Sequence, residues 1–100
     1  MQAFYPEQFE REVGSTAADW LRRLPEAIGA HTWQQQLPGE VHVHLPPGHL
    51  HIRWQVASPR VLGLARLPRL TMQFAFAGVS DAERQRFMQR FDLYMQRGGG

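Results

Sequence analysis

Residues 42–52 read HVHLPPGHLHI and hold four of the five histidines of the chain. Imidazole nitrogens serve tetrahedral zinc and also suit copper and nickel. In an extended strand, residues two apart share a face, so His42 and His44 project together, as do His49 and His51. A hairpin in which Leu45 pairs with Leu50 brings both pairs to one face and sets His44 opposite His51. Side chains so placed stand about 4.5–5.5 Å apart at Cβ. A His-x-His from one strand and a histidine from its neighbour then make a workable three-ligand arrangement. His42, His44, His49 and His51 are the candidate ligands, for zinc, nickel or copper. A solvated or partner-facing surface explains the same residues more simply, because the side of a sheet turned away from the core must be polar. Metal-bound imidazoles also need outer acceptors to fix them. Only Glu40 stands nearby, and Arg53 beside it would repel a cation.

The arginines are the second set of reactive groups. All eleven basic residues are arginine, and lysine and asparagine are absent, a bias that reads as GC-rich bacterial genome composition. Guanidinium forks grip carboxylate and phosphate. Arg53 and Arg69, with Gln55 and Gln73, fall on the open face of the strands and form the candidate partner surface; Arg60 and Arg66 sit near them in sequence. A net charge of +2 gives little of the field expected of a dedicated nucleic-acid binder. Sheet-type RNA readers also stack bases on exposed aromatics, whereas Trp54, Phe74 and Phe76 alternate toward the core side. Arg84, Arg86, Arg90 and Arg97 are expected on the solvated face of the last helix.

Catalytic chemistry finds little to work with, and the expectation leans away from an enzyme. There is no cysteine, hence no thiolate ligand, nucleophile or disulfide. Ser15 and Ser80 stand at helix starts, and Ser58 precedes a proline. Asp19, Asp81 and Glu83 are acidic residues favoured in first helical turns. The closing GGG is no phosphate loop, since no strand leads into it and no helix follows.

The elements that must carry these side chains follow from periodicity. Residues 6–13, PEQFEREV, read as a short helix with Pro6 in its first turn and Phe9 and Val13 on one face. A second helix begins at Thr16, which has capping-box spacing to Asp19, and carries the stripe Trp20, Leu21, Leu24 and Ile28; Pro25 should kink or restart it. Residues 29–39 read as a loosened connection. From Glu40 the period changes to two. Val41, Val43 and Leu45, then Leu50, Ile52, Trp54 and Val56, alternate with polar neighbours, giving two half-buried strands joined at PPG, where Gly48 could take a positive φ. SPR at 58–60 and LPR at 67–69 punctuate two further strands, roughly 61–66 and 70–77, the first apolar on both faces and so suited to a central place. The last helix starts at the Ser80–Glu83 capping box, shows Phe87, Met88, Phe91, Tyr94 and Met95 as its stripe, and stops at Gly98.

These elements predict an α+β two-layer sandwich: a four-stranded antiparallel meander covered on one face by N-terminal helices and a C-terminal helix, in the order α-β-β-β-β-α. One domain spans residues 1–97, with 98–100 as a flexible glycine tail. The expected core is Trp20, Leu24, Ile28, Val43, Ile52, Trp54, Met72, Phe74, Phe76, Phe87 and Phe91. No stretch is apolar for long enough to insert in a membrane and the start lacks a secretory signal, so a cytoplasmic bacterial protein is expected. The functional expectation is a non-catalytic binding or accessory module with no required cofactor. It would use the open sheet face toward a protein partner or a second copy. A histidine-ligated metal binder is the alternative, and an RNA- or acidic-partner-binding module the next.

Overall fold

The computed structural model describes residues 4–97, the last of these by its backbone, so the glycine tail lies outside the described residues. The elements in chain order are β1 (Gln8–Val13), α1 (Ala17–Ile28), β2 (Trp33–Leu37), β3 (Glu40–Leu45), β4 (Gly48–Leu62), β5 (Ala65–Ala77) and α2 (Asp81–Arg97). The fold is α+β, with one antiparallel five-stranded sheet in the order β1-β5-β4-β3-β2 and two helices. Strands β2 to β5 form a meander by sequence neighbours, and β1 adds to its far edge beside β5.

Two segments unexpectedly form strands, and the expected strand at 61–66 is absorbed into its neighbours, so four strands become five. Residues 8–13 form a strand, not a helix, paired along β5 from Gln8↔Ala75 to Val13↔Leu70. Phe9 and Val13 are four apart, a spacing that suits one helical face and one strand face equally. The deciding signal is the alternation of Gln8, Glu10 and Glu12 outward with Phe9, Arg11 and Val13 inward. Trp33–Leu37, expected as loop, is a mostly exposed edge strand against β3, with a register irregularity between Gln34 and Leu37. Its polar run WQQQ buries only its first side chain in part, so it shows no alternation to read.

The helices begin as their caps predict. The Asp19 amide donates to Thr16 Oγ1 at 3.1 Å, and the Glu83 amide to Ser80 Oγ at 3.3 Å. Pro25 neither ends nor restarts α1, which runs on to Ile28. So close to the C-terminus the missing donor costs one bond, and the Pro25 carbonyl still accepts from the Gly29 amide. Both helices lie on one face of the sheet, closing a single apolar cluster that contains all eleven expected core residues and adds Tyr5, Ala27, Val41, Leu45, Leu50, Leu70, Val79 and Met88. Phe9 stacks on Phe74 at 4.8 Å between ring centroids, and Trp20 packs against Trp54 at 4.9 Å, tying β1 and α1 to the middle of the sheet.

The largest departure lies in β4 and β5. SPR and LPR do not separate strands: they lie within two long ones, β4 of fifteen residues and β5 of thirteen. The residues read as a central strand straddle the tip of their hairpin. Leu62 pairs with Ala65 across a two-residue loop in which Gly63 has φ 60°, the pattern of a type II′ turn. Register shifts by one between Ala57 and Arg60, a bulge in β4. Neither strand has a buried residue between Gln55 and Arg69, so the hairpin leaves the helix-covered body as a free ribbon. The molecule is accordingly drawn out to 47 × 30 × 21 Å. Pro59 and Pro68 stand in the ribbon, one on each strand.

Candidate functional site

The β3–β4 hairpin places the histidines. Its register is Leu45↔Gly48, His44↔His49, Val43↔Leu50, His42↔His51, Val41↔Ile52 and Glu40↔Arg53. The expected Leu45–Leu50 pairing is therefore off by two residues. A slip of two keeps every side chain on its face and changes only its partner, so the four histidines do share the open face. The loop is shorter than expected, Pro46 and Pro47 alone, joined by a cis peptide. Gly48 has no positive φ. A side chain there would run into backbone, its Cβ falling 2.0 Å from the Ala77 carbonyl oxygen.

The four histidines do not converge on one point. His44 and His49 are exposed at the end of the hairpin. One rung further in, the His42 and His51 rings stack with centroids 4.3 Å apart and planes within 10°. Glu40, two residues before His42 on the same strand, reaches both: its carboxylate oxygens lie 3.9 Å from His42 Nε2 and 3.5 Å from His51 Nε2. The His51 Nε2 atom is buried and hydrogen-bonded to no group among the described residues. Glu40, His42 and His51 each offer a ligand atom within 4.8 Å of the others. Arg53, opposite Glu40 in register, turns instead to Gln73, its Nη2 donating to Gln73 Oε1 at 2.8 Å.

The rest of the open face is bonded to itself. Gln73 Nε2 donates to Glu10 at 3.4 Å, continuing the row from Arg53 across to β1. Arg69 donates to the Ser58 carbonyl and to Glu12 at the base of the ribbon, and Gln55 is exposed between the rows. Apolar surface is found elsewhere. Val56 is 77% exposed and Leu64, at the ribbon tip, 104%; Val61, Leu62 and Leu67 are exposed as well. The bulge sets Leu62 and Leu67 on the same ribbon face as Arg60 and Ala65, because Arg60↔Leu67 and Leu62↔Ala65 are facing pairs two residues apart. Aliphatic residues on both faces of a segment look from sequence like a doubly buried strand, and here neither face is covered.

On the helical side, Arg84 is buried rather than solvated. Its Nε donates to the Tyr5 carbonyl at 2.9 Å, its Nη1 to the Val79 carbonyl at 2.6 Å, and it also pairs with Asp81. Arg90 lies over the Tyr94 ring and donates to the Glu26 carbonyl at the end of α1. Asp92, in the middle of α2, is also buried; it accepts from the Tyr5 hydroxyl at 2.7 Å and from Arg11 Nη1 at 2.6 Å. Beside this pair a cleft of about 570 Å³ opens between β1 and the end of α2, walled by Trp20, Met72, Phe91 and Met95. Its charged groups are already matched to each other.

Compared with known protein families, curated proteins and solved structures, the chain matches none. Among the described residues no helix is long and apolar enough to cross a membrane.

Proposed function

We propose that the chain is a non-catalytic protein-binding module of the cytoplasm, and that its ribbon, residues 57–69, docks on a second copy of the chain. The observation that carries this reading is the ribbon itself. Val61, Leu62, Leu64 and Leu67 stand in water on an arm that the helices do not reach. Large apolar side chains gathered in water on both faces and the tip of one arm suit a contact site. A two-stranded ribbon is marginal on its own in water and gains from being covered. Charge favours a second copy as the cover. The ribbon carries Arg60, Arg66 and Arg69 and no acidic residue, while Glu10 and Glu12 of the same chain line the outer strand of the open face. Only Arg69 meets one of them within its own chain, at Glu12. The open face of one copy therefore offers the arginines of another's ribbon the Glu10 carboxylate, which within its own chain accepts from the neutral Gln73 amide.

Sedimentation velocity over a wide concentration range tests the proposal. The native chain should rise from monomer to dimer mass and shift back toward monomer in high salt. Replacing Leu62, Leu64 and Leu67 together by Ser should keep the fold and leave a monomer at every concentration. A native chain that stays monomeric up to about 1 mM, where even a weak contact of about −4 kcal/mol would show, refutes it.

A further inference from the structure

We propose that Glu40, His42 and His51 form a binding site for a single divalent transition-metal ion of the zinc type, with a coordination position left open to water. The site is independent of the ribbon contact and lies on a different part of the sheet. Its donor set, two imidazoles and one carboxylate, is one that zinc uses in open sites, and imidazole excludes the hard all-oxygen preference of magnesium and calcium.

The spacing suits an ion of that size. Ligands about 2.0–2.1 Å from a tetrahedral metal stand about 3.3–3.5 Å from one another. The Glu40–His51 pair is already at 3.5 Å and the Glu40–His42 pair at 3.9 Å. What must change is the stacking of the two imidazoles, whose nearly parallel planes aim their lone pairs side by side. Tilting the rings about χ2, a broad and soft torsion, would aim the two Nε2 lone pairs at one ion between them. The backbone beneath need not move. Val41, Val43, Leu50 and Ile52 flank the two histidines on the other face and are all fully buried, which fixes the register of the rungs.

The His51 Nε2 atom supplies the second line of support. A buried ring nitrogen without a hydrogen bond is rare, because desolvation costs it free energy that nothing returns. A metal ion would satisfy that atom and the neighbouring carboxylate at once. Arg53, the cation nearest in register, is held away by its bond to Gln73. His44 and His49, named from sequence on a par with His42 and His51, play no part, since they lie beyond the cluster toward the turn and face solvent.

Zinc titrated calorimetrically into the chain at neutral pH tests this. One ion per chain is expected, together with shifts of the His42 and His51 ring signals in NMR. Glu40→Gln should weaken binding by at least about tenfold and His51→Asn or His42→Asn by at least about a hundredfold, since even outer groups that only orient a ligand contribute about 10–100-fold. The double variant His44→Asn/His49→Asn should stay within about threefold of the native chain. Cobalt in place of zinc should show the intense visible absorption of a tetrahedral ion in the native chain and in that double variant, and lose it in His51→Asn. All five positions are at least partly solvent-exposed, so the variants should fold, and circular dichroism checks it. If the double variant loses binding while His51→Asn keeps it, or if the native chain takes up no zinc at about 100 μM, the site is not there.

Discussion

Replacing Asp92 by Ala should be among the costliest single changes in this protein. The Asp92 carboxylate is 9% exposed and accepts from Arg11 Nη1 at 2.6 Å and from the Tyr5 hydroxyl at 2.7 Å. It thereby fastens the N-terminal segment and β1, an edge strand, to the middle of α2. Hydrogen bonds to a charged group contribute about 1.5–3 kcal/mol each, and removing one side of a buried ion pair costs about 3–5 kcal/mol because the other charge stays behind. The Arg11 side chain is 24% exposed, so water takes up part of that charge and the lower end applies, about 3 kcal/mol. For a domain of this size each kcal/mol moves the melting temperature by about 4–8 °C, so Tm should fall by about 12–24 °C. Asp92→Asn keeps an acceptor for Tyr5 and should lose about half as much. Urea unfolding followed by the fluorescence of Trp20, buried beside Phe91, measures both. Adding Arg11→Met to Asp92→Ala also removes the guanidinium that faced the carboxylate, so the double variant should be more stable than the sum of the single losses predicts. A loss below about 1 kcal/mol for Asp92→Ala, or strict additivity in the cycle, would sink the claim that this pair holds β1 to α2.

Two further changes probe the frame around the histidine hairpin and the first helix. Gly48→Ala puts a methyl group 2.0 Å from the Ala77 carbonyl oxygen and 2.5 Å from the Gly78 carbonyl carbon, atoms that cannot swing aside, and should cost about 3 kcal/mol with faster amide exchange where β3, β4 and β5 meet. An unchanged exchange pattern there would show that the close approach is dispensable. Thr16→Ala removes the acceptor for the Asp19 amide and should cost about 1 kcal/mol in thermal unfolding, with Thr16→Ser restoring most of it.

Much of this architecture is written locally. Thr16 and Ser80 announce their helices because a cap is a contact between residues three apart, and the inward positions of Val43, Ile52, Met72 and Phe74 follow from a period of two. What sequence reading missed depends on partners far along the chain. Residues 8–13 become a strand because β5 supplies an edge, and Arg84 is buried because the Tyr5 and Val79 carbonyls receive it. The site shows the same division. Parity alone brings His42, His44, His49 and His51 to one face, but the register that pairs His42 with His51 comes from the Leu45↔Gly48 closure. Glu40 was legible as a neighbour, and nothing local said that Arg53 would be held by Gln73 on another strand. Val61, Leu62 and Leu64 were misread for a related reason: an apolar run tells how it is composed and not whether anything lies above it.

The two prolines of the ribbon bear on how such an arm can exist without harm. The stretch VLGLARL between them is short, aliphatic and lightly charged, the composition of segments that stack into cross-β fibrils. Pro59 and Pro68 bracket it on its two strands, and neither offers a backbone N–H to an arriving strand. Main-chain addition is thereby interrupted at the ribbon's root on both sides, while its side chains stay free. Substituting both prolines by Thr would keep the arm's aliphatic side chains and take away its gatekeepers, opening both edges of the arm to endless strand addition.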